Sequence, residues 1–290
     1  MQHPSPAPPA HPPSERQQVA LIKLLADDDP AIYRAVRKKI LSWGPEVREW
    51  LQPHRLSNDP LLRRRAREII DHFSLQEADI QFLAFCLRHG EEFDLESGLW
   101  LLAATAYPDL RITAYEALLD HYAANLRCRI DVNGPADRLL GAINKYLFDT
   151  LGFSGSQETF HDPETSYLNR VMDRRTGNPV SLCLVYILLA RRLHLPVAGI
   201  AFPGYFLCRY QSTSDEVYVD VFNRGKLLTP ADCIPHLVQS GHGSPAELLA
   251  PLSARRTITR ICAALHHSYL QLEQGEQATR LQRYLVALKG

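Results

Sequence analysis

Between Glu15 and Leu151 the apolar residues recur three or four positions apart with charged residues between them, so this half of the chain reads as nearly all helix. The interruptions carry start signals. Asp29-Pro30 and Asp59-Pro60 each set a capping carboxylate ahead of a proline at a first helical position. Ser74-Leu75-Gln76-Glu77 has the capping-box form, which predicts a further helix beginning there. The segments 31–41 and 61–73 read as successive helices of a short right-angled stack, similar to a HEAT-type array, with Leu and Ile inward and Arg outward. Further helices are expected over 95–106, 112–126 and 138–151.

After Pro196 the period changes. The stretches 197–202, 206–210 and 216–222 are short and rich in β-branched and aromatic residues, with a polar loop over 211–215, and they predict a small antiparallel sheet. Thr229-Pro230 signals a short helix, and residues 240–244, with two glycines, read as a linker. The rest returns to helical spacing and predicts two helices meeting near Gly275. This hairpin is similar to a single tetratricopeptide-type unit, which needs neighbours and is therefore expected to pack on the core.

Composition narrows the classes. With 290 residues, 46% of them hydrophobic, the chain can bury a large core without help from metals or disulfides. Thirty-two basic residues balance thirty-two acidic ones, so no long-range field draws the whole molecule to nucleic acid or an anionic membrane. Arg34, Arg37, Lys38 and Lys39, with Arg63, Arg64, Arg65 and Arg67, offer a local basic stripe. Interspersed Glu46, Glu49, Glu68 and Asp71 make a solvated helix surface the stronger reading, and nucleic acid a minor one. The six cysteines form no C-x-x-C pair, no H-E-x-x-H is present, and neither a metal nor a cofactor is expected. Gly152 and Gly155 lack the lysine and threonine of a phosphate loop and read as a turn. The Pro-, Ala- and His-rich start, 1–13, lacks the apolar run of a secretory signal and reads as a disordered tail. The longest apolar run, 182–190, is about half of the roughly 18 residues that suggest a membrane span. A cytoplasmic protein with no membrane partner is expected.

The most specific stretch runs from Ser166 to Tyr210, SYLNRVMDRRTGNPVSLCLVYILLARRLHLPVAGIAFPGYFLCRY, followed by VYVDVF at 217–222. It resembles the SirB-type transglutaminase-like family, over about residues 90 to 235. The residues themselves fit a buried central helix. Asn178 precedes Pro179 as a cap, Ser181 falls in the first turn, and 182–190 is apolar on every side. The resemblance implies a papain-like core, an α+β and mainly α fold, whose nucleophile sits at the start of that helix. With the helical spacing on either side, the expected division is a tail, 1–14, a helical HEAT-like region, 15–89, the transglutaminase-like core, 90–239, and a C-terminal helical hairpin, 240–290.

By the same resemblance Ser181, Tyr205 and Asp220 occupy the positions of a Cys-His-Asp triad. Serine replaces the cysteine and tyrosine replaces the histidine. A serine without an adjacent base is a poor nucleophile, and a phenol with a pKa near 10 is a poor base at neutral pH. Asp220 is then expected to accept hydrogen bonds from Tyr205 or from backbone N–H groups. Cys183 and Cys208 are expected to face away from the site as buried hydrophobes, and His194 lies about three turns from Ser181. His161, His236 and His242 remain as candidate bases to be delivered by loops or short helices, and the adjacent His266 and His267 read as structural or surface residues. Tyr167, Asn169, Arg170 and Asn178 are expected either to line the cleft or, more strongly, to hold the loop leading into the central helix. The leading functional expectation is a noncatalytic transglutaminase-like module that binds a protein or peptide. Alternatives are a serine-dependent amide hydrolase or acyl-transfer enzyme using Ser181, and a nucleic-acid-associated regulator using the basic helices.

Overall fold

The computed structural model describes residues 13–88, 93–132, 134–158, 161–202, 205–233 and 249–289. The chain separates into two compact units, one ending at Ile80 and including Thr105–Asp109, the other made of Gln81–Ala104 and the chain from Leu110 onward.

The first unit is helical: α1 (Glu15–Leu25), α2 (Pro30–Leu41), α3 (Val47–Leu51) with a 3-10 turn over Gln52–Leu56, and the first part of α4 (Pro60–Cys86). Ser14 and Asp29 cap α1 and α2 through their side chains. Leu25, Val36, Ile40, Leu51, Ile69 and Phe73 form its core. Two expectations are corrected here. No helix begins at Ser74, because α4 runs unbroken from Pro60 to Cys86. The apolar spacing Ile69, Ile70, Phe73, Ala78, Phe82 and Phe85 carries the helix through the capping-box sequence, which only permits a start. Arg65 does not point outward either. Its guanidinium is buried on the Leu25 and Asp27 carbonyls and over the Tyr33 ring, satisfying the end of α1, while Arg64 pairs with Glu68.

The second unit contains α5 (Leu95–Ala104), α6 (Ile112–Arg127), α7 (Ala136–Asn144) continued by a π-helical turn over Lys145–Thr150, α8 (Leu168–Arg174) and α9 (Pro179–Arg192). Four antiparallel strands follow in simple order, β3 (Val197–Phe202), β4 (Tyr205–Gln211), β5 (Glu216–Asp220) and β6 (Lys226–Leu228). The two short strands before them, β1 (Ser154–Gly155) and β2 (Thr176–Gly177), pair in parallel ahead of α9, so the Gly155 segment is part of a ladder as well as a turn. Gly155 is required there, since a Cβ would lie 2.4 Å from the Phe222 ring. A helical turn begins at Pro230, and α10 (Ala254–Gln271) and α11 (Gly275–Ala287) form the closing hairpin. The expected linker at 240–244 and the first twelve residues of the expected tail lie outside the described residues.

Helix α9 is the axis of this unit. Every residue from Ser181 to Ala190 is buried, with β3 and β4 against one side and α6, α8 and α10 against others. An all-round apolar helix must be surrounded in this way, and its start is thereby fixed against the sheet. The fold is α+β and mainly α. Among the described residues no helix is long and apolar enough to cross a membrane.

Candidate functional site

The start of α9 is built as its sequence dictates. Asn178 is extended, Pro179 takes the first helical position, and Asn178 Oδ1 accepts the Ser181 N–H at 2.9 Å. The same amide donates through Nδ2 to Ser166 Oγ at 2.7 Å, and the Asn178 N–H donates to the Thr165 carbonyl. Asn178 therefore ties the loop before α8 to the helix start.

Ser181 is only 1% exposed. Its hydroxyl donates to the Thr165 carbonyl at 2.6 Å and approaches the Asn178 carbonyl at 3.1 Å. No histidine hydrogen-bonds it among the described residues. Gly177 packs so closely that a Cβ there would lie 2.6 Å from Ser181 Oγ.

Tyr205 and Asp220, on neighbouring strands, do meet. Tyr205 is 42% exposed, and its phenol donates to Asp220 Oδ2 at 3.2 Å. Asn223 completes the group, donating through Nδ2 to Tyr205 Oη at 2.7 Å and to Asp220 Oδ2 at 2.8 Å, and through its backbone to Asp220 Oδ1 at 3.2 Å. Partial burial first, and the Asp220 charge second, raise the Tyr205 pKa above its ordinary value and hold the phenol protonated.

The remaining named residues are distributed around this frame. Tyr167 is buried with its hydroxyl 2.9 Å from that of Tyr269 on α10. Arg170 forms a two-pronged pair with Glu164 and a weaker one with Asp173. Asn169 is buried, and among the described residues its Oδ1 has no hydrogen-bond partner. Cys183 and Cys208 are buried between α9 and β4, where each thiol faces a backbone carbonyl of the other segment at 3.6 Å. Burial, then the neighbouring Cys208, pushes the Cys183 thiol well above the usual range. All six cysteines are free, and Cys128 is the exposed one.

Beside the α9 start lies a cleft of about 210 Å³, bounded by Asn178, Pro179, Val180, Tyr205 and Phe206 on one side. Its other side is α10, which contributes Arg260, Ala263, Ala264, His267 and Ser268. These fall at i, i+3, i+4, i+7 and i+8, one face of a helix. His161 also lines it, its ring centroid 5.4 Å from that of His267. The contribution of α10 was not singled out from the sequence. His236 and His242 lie outside the described residues. No group of three or more metal-ligating side chains occurs among the described residues.

Comparison with known proteins bears on this geometry. The family model described as Transglutaminase-like superfamily matches residues 113–263, which takes in α9, the sheet and the first half of α10. A UPF0162 protein of Xylella fastidiosa is 36% identical over 199 residues, covering 66% of this chain and 70% of that protein. Protein SirB1 of Salmonella typhimurium is 27% identical over 156 residues, covering 52% of this chain and 57% of that one. The F-box only protein 21 of Homo sapiens is 31% identical over 136 residues, covering 44% of this chain and 21% of its own. No solved structure matches.

Proposed function

The chain belongs to the transglutaminase-like superfamily, and from that premise we propose that it is a noncatalytic member that uses the cleft beside α9 to bind a protein or peptide. The observation that carries the reading is the state of Ser181. A nucleophile at a helix start needs a free hydroxyl, a base within about 3 Å and a vacant N–H to receive developing negative charge. Here the Ser181 hydroxyl is donated to Thr165, its N–H is capped by Asn178, and the side chain is buried. At the base position, Tyr205 is a hydrogen-bond donor to Asp220 held in its protonated form. The cleft next to them is open, largely apolar and of a size for one or two side chains. The matching region occupies 21% of the human F-box only protein, so a core of this kind also occurs as one part of a longer chain, as suits a binding module.

The test is labelling. Wild-type protein treated with a fluorophosphonate is expected to carry no adduct at Ser181 by mass spectrometry. In Ser181→Cys, burial should raise the new thiol as it raises Cys183, leaving it unalkylated by iodoacetamide while exposed Cys128 reacts. An adduct on native Ser181 would overturn the reading and restore the serine-enzyme alternative.

A further inference from the structure

We propose that Asn144 is a positioning residue for the cleft wall: by holding the Gly225 carbonyl it fixes the turn between β5 and β6, and through that turn the Asn223 side chain that orients Tyr205. The proposal rests on the binding reading above for what Tyr205 is presented to, and on the bonds of the turn for everything else. Tyr205 and Asp220 stand on strands, whereas Asn223, which donates to both, stands on the turn that Asp220 and Lys226 close. Tyr205 lines the cleft, so whatever fixes Asn223 fixes a polar edge of that wall.

Inside the turn, the Gly225 N–H donates to the Asp220 carbonyl at 2.8 Å, and Gly225 has a φ of +74°, which favours glycine. Its own carbonyl is held from outside. Asn144, at the end of α7 and 81 positions earlier, donates to it through Nδ2 at 2.6 Å in buried surroundings. A Cβ on Gly225 would collide with the Asn144 carboxamide, so the two groups meet as closely as the absence of a side chain permits. A second tether lies beside the first, where Arg224 Nη2 donates to Asp149 Oδ1 at 2.6 Å. That pair is exposed on both sides and contributes little, so the buried amide carries the restraint.

The backbone between the two tethers is built for this. Asn144 and Asp149 are five residues apart, and five residues of α-helix would direct their side chains about 140° apart. Here the chain leaves the α-helical ladder for the π-helical turn over Lys145–Thr150, and the Leu151 N–H donates to the Tyr146 carbonyl, five residues back, at 2.9 Å. The wider turn lets both side chains reach the same β5–β6 turn. Asn144 also carries a cost, because its buried Oδ1 has no hydrogen-bond partner among the described residues. A buried carboxamide with its acceptor unmet disfavours the fold, and the bond to Gly225 is what it supplies against that cost.

The test reads Tyr205 itself. The full chain is labelled with tyrosine carrying carbon-13 at Cζ, the Tyr205 signal is identified by its loss in Tyr205→Phe, and its titration is followed by NMR. The Asn223 hydrogen bond favours the phenolate, so Asn223→Ala should raise the Tyr205 midpoint by about half a pH unit or more. Asn144→Ala should move it in the same direction by a comparable amount, and the double variant no further than Asn223→Ala alone, because both act through one bond. Asp220, the charged group bonded to the phenol, is present in every variant. If Asn144→Ala does not fold, Asn144→Leu, of similar shape and without the donor, is read in its place. A midpoint that Asn223→Ala shifts and the Asn144 variant leaves in place overturns the proposal, and so does a midpoint that Asn223→Ala does not move. No ligand enters the measurement, so its failure leaves the binding reading standing, while an adduct at Ser181 would overturn that reading and leave the tether intact.

Discussion

The two positions that the family resemblance assigns to nucleophile and base, Ser181 and Tyr205, sit in opposite surroundings. At the α9 end, Ser181 is sealed, with its hydroxyl and its N–H both spent on holding Thr165 and Asn178. At the strand end, Tyr205 is 42% exposed, and its phenol reaches from solvent to Asn223 and to the buried Asp220 carboxylate. Under the proposed noncatalytic reading the two positions serve different purposes: one stabilises the fold, the other shapes a surface. Burial is the physical divide, because a polar group lost from a dry site leaves its partner orphaned, whereas water replaces one lost from a wet site.

The comparison predicts a ladder of effects, and its top rung is Asn178→Ala. That change removes the cap on the Ser181 N–H and the donor to Ser166 Oγ in one step, both in buried surroundings. A loss of about 2–3 kcal/mol in urea-unfolding stability is expected. A loss no larger than that of a surface substitution would break the claim that the α9 start is a structural keystone.

Ser181→Ala sits on the next rung. The Thr165 carbonyl loses its hydroxyl donor, at a cost of about 1–2 kcal/mol, with the same urea measurement as the check. Gly177→Ala sharpens the point from the other side. The added methyl has no room beside Ser181 Oγ, and a destabilisation of about 1–3 kcal/mol is expected where overpacking meets a closed site.

How much of this was written in the sequence follows the same divide. The Asn178-Pro179 start, the apolar run of α9 and the strands expected at 197–202 and 216–222 carry local signals, and α9, β3 (Val197–Phe202) and the shorter β5 (Glu216–Asp220) lie there. The Ser74 capping box misled because a cap motif states where a helix is able to begin, and the buried Phe82 and Phe85 settle that α4 continues. Arg65 read as surface because charge is usually exposed, and only the fold shows the carbonyls of Leu25 and Asp27 waiting for it. The family resemblance placed Ser181, Tyr205 and Asp220 on α9, β4 and β5. It said nothing of Arg260, His267 and Ser268, which reach the cleft through packing of a helix about eighty residues downstream. Their spacing of i, i+7 and i+8 is in the sequence, but polar residues on one helical face ordinarily mean solvent, and only the contact of α10 with the α9 region turns that face into a wall.

The smallest effect belongs to Tyr205→Phe, and its pH dependence separates the two ends most finely. Because the ring is substantially exposed, loss of the phenol should cost no more than about 0.5 kcal/mol at neutral pH. The sign of the pH dependence follows from the raised folded-state pKa. The contribution of Tyr205 is fully present below the unfolded tyrosine value near 10 and fades as pH rises through the higher folded value. Phenylalanine has nothing to lose there, so the stability gap between wild type and Tyr205→Phe should narrow as pH rises above about 10. Other tyrosines titrate in the same window, among them Tyr33 and Tyr115, each pushed up to about 12 chiefly by burial. They are present in both proteins and cancel in the difference. The gap between wild type and Ser181→Ala should stay constant over the same range, since neither side chain titrates. A Tyr205 gap that also stayed flat would mean that the phenol's bond to Asp220 contributes nothing, and that the Asp220 side chain is held by Asn223 alone.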